Sequence, residues 1–336
     1  MKKTLSLIIV LLFLFIGVTL AYKMDLMTIV LSYFTTSEGR EYRPYGEMKA
    51  VFEEARSLSA EEIKSREPIY AIETETYVSP KPDNALYDKK FENYTDKTIE
   101  VHYRSEIMYD SWIHFMEVRI KHPSQLRMAL ANDQFGSVRK KPSAISAEVN
   151  AVAAVNGCFY NRRRLGVLIY KREVLRNKPF GVDVLLIDAD ADFHIVRDRK
   201  LTDSGVLDEY DIVSGISFGP ELVRDGKALT ITDLNWEPKT LEPRTAICQY
   251  DDALHYLVVL CEGRNARSKG VTMQTFANLV AAQGVRTAYN LDGGQSGTMV
   301  IGNRVKNRGG WGPEKPQSDI LYFATGIDSS QTSPEA

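Results

Sequence analysis

Four short stretches combine glycine with polar side chains at the ends of apolar runs, where reactive groups can be held on a rigid frame. They are Asn156-Gly157-Cys158-Phe159-Tyr160, Glu242-Pro243-Arg244-Thr245-Ala246-Ile247, Glu262-Gly263-Arg264, and Asn290-Leu291-Asp292-Gly293-Gly294-Gln295-Ser296-Gly297-Thr298. Taken singly, Asn-Gly and Asp-Gly are turn dipeptides, because these residues tolerate positive φ. An arginine or glutamate beside a strand is normally a solvated flank. The last stretch stands apart. Two adjacent glycines after an aspartate expose main-chain N–H groups that can cradle an anion, with a carboxylate at the same place. No Gly-Lys-[Ser/Thr] follows, so it is not a nucleotide P-loop.

The elements that must position these stretches are mostly strands. Met116, Val118 and Ile120 alternate with Glu117, Arg119 and Lys121, the period of a half-buried strand. Apolar runs recur at Ala151–Val155, Val167–Tyr170, Val182–Ile187, Phe193–Val196, Ile212–Ile216, Thr245–Tyr250 and Leu254–Leu260. Asp225-Gly226 and Asp251-Asp252 read as hairpin turns. With a two-residue turn at the second, Cys248 would face His255 and Cys261 would lie opposite Glu242. The three cysteines are therefore expected as free thiols. One helix is explicit: Thr272 as N-cap, Met273, Phe276, Ala277 and Val280 as its buried stripe, and Gly284 just past its end. A strand over Arg286–Leu291 follows.

Composition removes several classes. The 336 residues carry 42 Lys plus Arg against 44 Asp plus Glu, a balance without the basic excess of a nucleic-acid binder, so no nucleic-acid partner is expected. Three cysteines cannot build a disulfide framework, and five histidines include no H-x-x-x-H pair. At the amino terminus Lys2 and Lys3 precede an apolar run from Leu5 to Ala21, which as a helix would reach roughly 26 Å. This predicts a signal anchor or signal peptide over residues 1–22, with the rest extracytoplasmic: a single-pass protein of the cell membrane, or a secreted one if the signal is cleaved. Residues 23–97 read as stalk and linker. Within them lie an amphipathic stripe at Met48, Val51, Phe52 and Ala55, a capping box at Ser59 and Glu62, and a Pro-rich linker at Ser79–Asn84. Residues 98–328 read as one α+β domain, mixed and strand-rich with a few helices, and 329–336 as a disordered tail.

The four stretches, with Gly270-Val271-Thr272, resemble in order and spacing the phosphodiester glycosidase domain family. Its bacterial members are often labelled exopolysaccharide biosynthesis proteins. The resemblance runs from Asn156 to Thr298. The family pattern reads N-G-G-Y/F-F, P-R-T-A-I, D-G-R, G-x-T/S and L-D-G-G-G-S-[ST]. Here Cys158 replaces a glycine, Glu262 an aspartate, Gln295 the third glycine and Gly297 a hydroxyl residue.

The resemblance implies hydrolysis of a glycosyl phosphodiester at the anomeric C–O bond, in a cell-surface polymer of the exopolysaccharide or teichoic-acid kind or in a small diester. The leaving group is already a stable anion, so protonating it matters less than in ordinary glycosidases. It further implies Asp292 as the central carboxylate, nucleophile or base, and Glu262 as the second. Arg244 would be the bidentate phosphate ligand. Asn156 would orient the substrate and Arg264 would steady Glu262 or the phosphate. Gly293, Gly294, Ser296, Thr298 and Asn290 would complete the binding surface. Alternatives stay open at this level. Asp292, Glu262 and Asn156 could ligate a divalent cation such as calcium. The chain could also be a non-catalytic glycan-binding or assembly protein, or a metal-dependent phosphodiesterase cleaving P–O. Arg162-Arg163-Arg164 reads as a solvated loop or a landing strip for a phosphate-rich substrate.

Overall fold

The computed structural model describes residues 76–202, 210–232, 239–309 and 312–326. The expected membrane segment, the stripe at Met48–Ala55, the capping box at Ser59 and the tail 329–336 lie outside them. Strands β1 (Asn93–Thr95), β2 (Ile99–Met108) and β3 (Ser111–Ile120) are followed by β4 (Leu126–Leu130). Helix α1 (Pro142–Glu148) leads into β5 (Ala153–Asn156), β6 (Gly166–Tyr170), β7 (Glu173–Lys178), β8 (Asp183–Asp188) and β9 (Phe193–Arg197). Then come β10 (Ile212–Ser217), β11 (Glu221–Arg224), β12 (Lys227–Ala228), β13 (Arg244–Gln249) and β14 (His255–Cys261). Helix α2 (Met273–Ala281) precedes β15 (Thr287–Leu291), β16 (Met299–Ile301), β17 (Arg304–Val305) and β18 (Asp319–Phe323).

Among the described residues the strands form three sheets, in the orders β1-β2-β3-β14-β13-β15-β11-β12, β17-β16-β5-β18-β4 and β7-β6-β10-β8-β9. One central core draws on all three. Met116, Val258, Leu260 and Leu291 meet Val155, Met299 and Phe323, together with Leu168, Leu185 and Ile216. Because side chains alternate along a strand, Leu257 and Val259 turn to the opposite face, where Phe276, Ala277 and Val280 of α2 cover them. The unbroken apolar run Leu257–Leu260 is thus a strand buried on both faces. In the same way α1 covers the outer face of the second sheet, with Ile145 against Ala154, Ile320 and Tyr322.

The strand-rich expectation holds, and each of the seven apolar runs contributes a strand. Helix α2 begins as its sequence indicates, with Thr272 Oγ1 accepting from Thr275 N, and Gly284 follows it at φ +78°. The Asp225-Gly226 turn joins β11 to β12. The second hairpin differs. Its ladder closes at Tyr250 and His255, so the loop is Asp251–Leu254, Cys248 pairs with Leu257, and Arg244 pairs with Cys261. At the foot of this loop the His255 ring is held between Asp252 Oδ1 at 2.7 Å and Glu117 Oε1 at 2.8 Å. All three cysteines are free and buried.

The packed structure also begins earlier than Thr98. Tyr87 and Tyr94 belong to the central core with ring centroids 4.6 Å apart, and the Tyr87 hydroxyl donates to Val152 O. Ser79, in the expected linker, is buried, with its N–H on Val149 O. Proline content marked the segment as irregular, but irregular backbone can still dock when its aromatic neighbours are buried.

Candidate active site

Antiparallel pairing brings the four stretches to one rim. The start of β13 lies beside the ends of β14 and β15, with Arg244 opposite Cys261 and Thr245 opposite Leu291. In the second sheet Ile320 near the start of β18 lies opposite Asn156 at the end of β5. Asp292 N then donates to Gly157 O at 3.3 Å, joining the first sheet to the second. Two glycines permit this closeness. A Cβ on Gly157 would fall 1.8 Å from Asp319 Oδ2, and one on Gly293 would fall 2.5 Å from Pro243 O.

Asp292 is a buried carboxylate of the rim. It is 7% exposed, and its Oδ2 is buried with no hydrogen-bond partner. Burial pushes its carboxyl from the ordinary 3.8 up to about 6, against the opposing pull of the Ser296 hydroxyl, Lys315 and Arg162, while Asp319 pushes it up further. A desolvated carboxyl with a free oxygen, titrating near neutrality, is suited to proton transfer or nucleophilic attack.

Asn156 has a different task from the one expected. It is fully buried, and its Nδ2 donates to Asp292 O at 2.7 Å and Gly157 O at 3.1 Å, while its Oδ1 accepts from Thr298 N at 2.9 Å. Both ends of its amide are taken up by backbone, so it fixes the Asp292–Thr298 loop and does not face a substrate. Thr298 is similarly engaged, its Oγ1 donating to Ser296 O. Asn290 Nδ2 donates to Gly219 O at 2.7 Å and holds the turn before β11. Its Oδ1 is buried without a partner.

The expected cation roles also shift. Arg244 is 8% exposed, with Nε on Val271 O and Nη2 on Thr240 O. The side chains two and four residues further along β13, Ala246 and Cys248, face α2. Arg264 pairs with Glu242 rather than Glu262, and its Nη1 lies 3.2 Å from the place a Cβ of Gly294 would take.

Glu262 is enclosed in a network of its own. Its Oε1 meets His114 Nε2 at 3.0 Å and accepts from Arg308 N at 2.7 Å, and its Oε2 accepts from Ser268 Oγ. His114 Nδ1 meets the Tyr103 hydroxyl at 2.7 Å. Burial pushes the Glu262 carboxyl up, but the His114 and Arg308 bonds outweigh it and hold the carboxyl below its ordinary value. With these oxygens and those of Asn156 already engaged, Glu262 and Asn156 do not form a cation ligand set with Asp292. Among the described residues no group of three or more His, Cys, Asp or Glu is placed to hold a metal ion.

Lys315, which carries no motif, is a cation that acts on Asp292 together with Arg162. Its Nζ donates to Ser296 Oγ at 3.2 Å and lies 4.7 Å from the Phe159 ring centroid. Glu314 beside it is anchored to the start of α1, accepting from Ser143 N and Ser143 Oγ at 2.6 Å. Asp319 is the other missed residue. Fully buried, it accepts from Cys158 N at 2.7 Å and Ser318 Oγ at 2.6 Å and so shapes the Gly157–Tyr160 turn. The signal in the sequence was the Gly- and Pro-rich stretch Gly309–Pro313 running into Glu314-Lys315 and the last apolar strand. A cleft of about 390 Å³ runs alongside, lined by Gln295, Thr298, Asn307, Arg308 and Glu314 among others. Asp292 is not one of its walls.

Known proteins share this fold. The catalytic domain of zebrafish N-acetylglucosamine-1-phosphodiester alpha-N-acetylglucosaminidase, auto-inhibited by its pro-peptide, has a similar fold: TM-score 0.57, 18% identity, 69% of this chain and 85% of that one. A hypothetical protein from Synechocystis matches with TM-score 0.53 at 14% identity, over 67% of this chain and 62% of that one. In sequence, the SPbeta prophage-derived uncharacterized protein YomE of Bacillus subtilis (strain 168) is 27% identical over 153 residues, 45% of this chain. The match spans 23% of that relative's length. Residues 149–324, more than half of the chain, match the family model described as Phosphodiester glycosidase, and the chain belongs to that family.

Proposed function

We propose that the protein hydrolyses the sugar–phosphate bond of glycosyl phosphodiesters at the anomeric C–O, outside the cytoplasm and held to the membrane by its amino-terminal segment. Exopolysaccharide or teichoic-acid-like polymers are the substrates the reading favours. The observation that carries it is the buried Asp292 carboxyl, with one oxygen unpartnered and Lys315 beside its Ser296 neighbour. In this reading Asp292 meets the developing oxocarbenium ion as nucleophile or as base for water. Lys315 receives the departing phosphate, whose negative charge needs a cation more than a proton. Ser296 bridges the two. Asn156 and Asp319 position the loops, and Arg264 stands at Gly294.

One observation favours a second reading, a glycan-binding protein without turnover. Gln295, in place of a glycine, donates to Pro313 O at 3.1 Å and narrows the approach to the Gly293-Gly294 bend. Incubating the full-length protein with UDP-N-acetylglucosamine and with wall-polymer fragments in oxygen-18 water separates the readings. Label in the released sugar, lost in Asp292→Asn, supports the glycosidase. Label in the phosphate assigns P–O cleavage instead, and binding without turnover assigns the glycan-binding role.

A further inference from the structure

We infer that a second anion subsite adjoins the Asp292 carboxyl, formed by Arg139, Arg162 and Lys315 around the Phe159 ring, and that the substrate is a polyanion bearing a phosphate beyond the scissile one. This deepens the glycosidase reading and rests on it. Arg139 Cζ and Lys315 Nζ each lie 4.7 Å from the centroid of the same Phe159 ring. That ring is fixed: Phe159 is 3% exposed and sits at φ +51°. Arg162 stands on the turn that Phe159 opens, its N–H on Phe159 O. Arg139 is held by Asn161, whose Oδ1 accepts from Nε at 3.1 Å and whose Nδ2 donates to Val138 O.

None of these three cations has a carboxylate within ion-pair distance among the described residues. Some exposed cations elsewhere do hold a carboxylate, as Arg119 holds Asp252 and Lys269 holds Asp110. Arg139 and Arg162 both act on Lys315. The Lys315 ammonium is held below its ordinary value by burial and by Arg162, Arg139 and Arg264, with Asp292 pulling the other way. Two cations on one ring and a third on the turn it opens, next to a carboxyl that lacks a partner at Oδ2, are complementary to an anionic ligand. A phosphodiester carries one negative charge, which Lys315 alone matches. Arg139 and Arg162, both exposed, are left for a second phosphate.

The test is calorimetric titration of the full-length protein with inorganic phosphate and with pyrophosphate at constant ionic strength. Pyrophosphate is expected to bind about 10-fold tighter or better, because it spans both positions. Arg139→Gln and Arg162→Gln, at exposed positions and checked for fold by circular dichroism, should each weaken pyrophosphate several-fold and leave phosphate within about twofold. Equal affinity for the two anions, or folded variants that leave pyrophosphate binding unchanged, overturns the subsite. The two ideas fail separately. Preferential pyrophosphate binding in a protein that releases no sugar from any glycosyl phosphodiester keeps the subsite and removes the glycosidase. Turnover with no pyrophosphate preference does the reverse.

Discussion

Asn156 Nδ2 stands 2.7 Å from Asp292 O, and this one bond links the end of β5 to the end of β15 across two sheets. The same side chain accepts from Thr298 N, so a single buried amide pins both ends of the Asp292–Thr298 loop. Asn156→Ala leaves the Asp292 and Gly157 carbonyls and the Thr298 N–H without that partner in a buried place. We expect a loss of about 2–4 kcal/mol in chemical denaturation, together with a fall in turnover. Asn156→Asp should not rescue it, because a carboxylate cannot donate to Asp292 O. Full stability in the alanine variant would contradict the clamp.

Asp292 makes a pH prediction with a definite sign. Its folded-state carboxyl titrates at about 6 against an ordinary 3.8, so the folded protein takes up a proton there before the unfolded chain does. The buried charge therefore costs stability above pH 6, and that cost is relieved as pH falls from about 6 towards 4. Asp292→Asn should be more stable than the wild type at pH 7–8 by about 2 kcal/mol, with the difference closing by pH 4. If the ionised form works, kcat/KM falls as pH drops through about 6. A rate that rises over the same interval would make the protonated carboxyl the working form.

Glu262 behaves in the opposite way. Its folded-state carboxyl lies below the ordinary 4.5, so its contribution is complete above that pH and is lost as pH falls beneath it. Glu262→Gln should flatten the acid limb of a stability-against-pH curve. Glu262→Ala should cost about 3 kcal/mol at pH 7, because His114 Nε2 and Arg308 N lose their acceptor. An unchanged acid limb in the glutamine variant would place the pH sensitivity elsewhere.

Much of this molecule was legible in the residues themselves. Period-two alternation and apolar runs located strands, because a strand's burial is written every second residue. Thr272 and Gly284 marked helix α2, since capping is local chemistry. The order and spacing of the glycine-bearing stretches likewise identified the family. Side-chain roles were less legible. Asn156, Arg244 and Glu262 carry the residue types of a reactive site, yet their polar atoms meet backbone and buried partners. Lys315 and Asp319 carry no motif, yet one serves the Asp292 site and the other shapes the turn beside it.

The sequence by itself determined the strands, the late helix, the free thiols and the loop that carries Asp292. Only the tertiary structure decided which polar groups face one another there. Hydrogen bonds across β5, β15 and β18 join residues more than a hundred positions apart, and no local pattern encodes which of them remains unpartnered. The desolvation that moves the Asp292 carboxyl towards neutrality is a property of the packed rim, because burial comes from every element around a group and not from its neighbours in the chain.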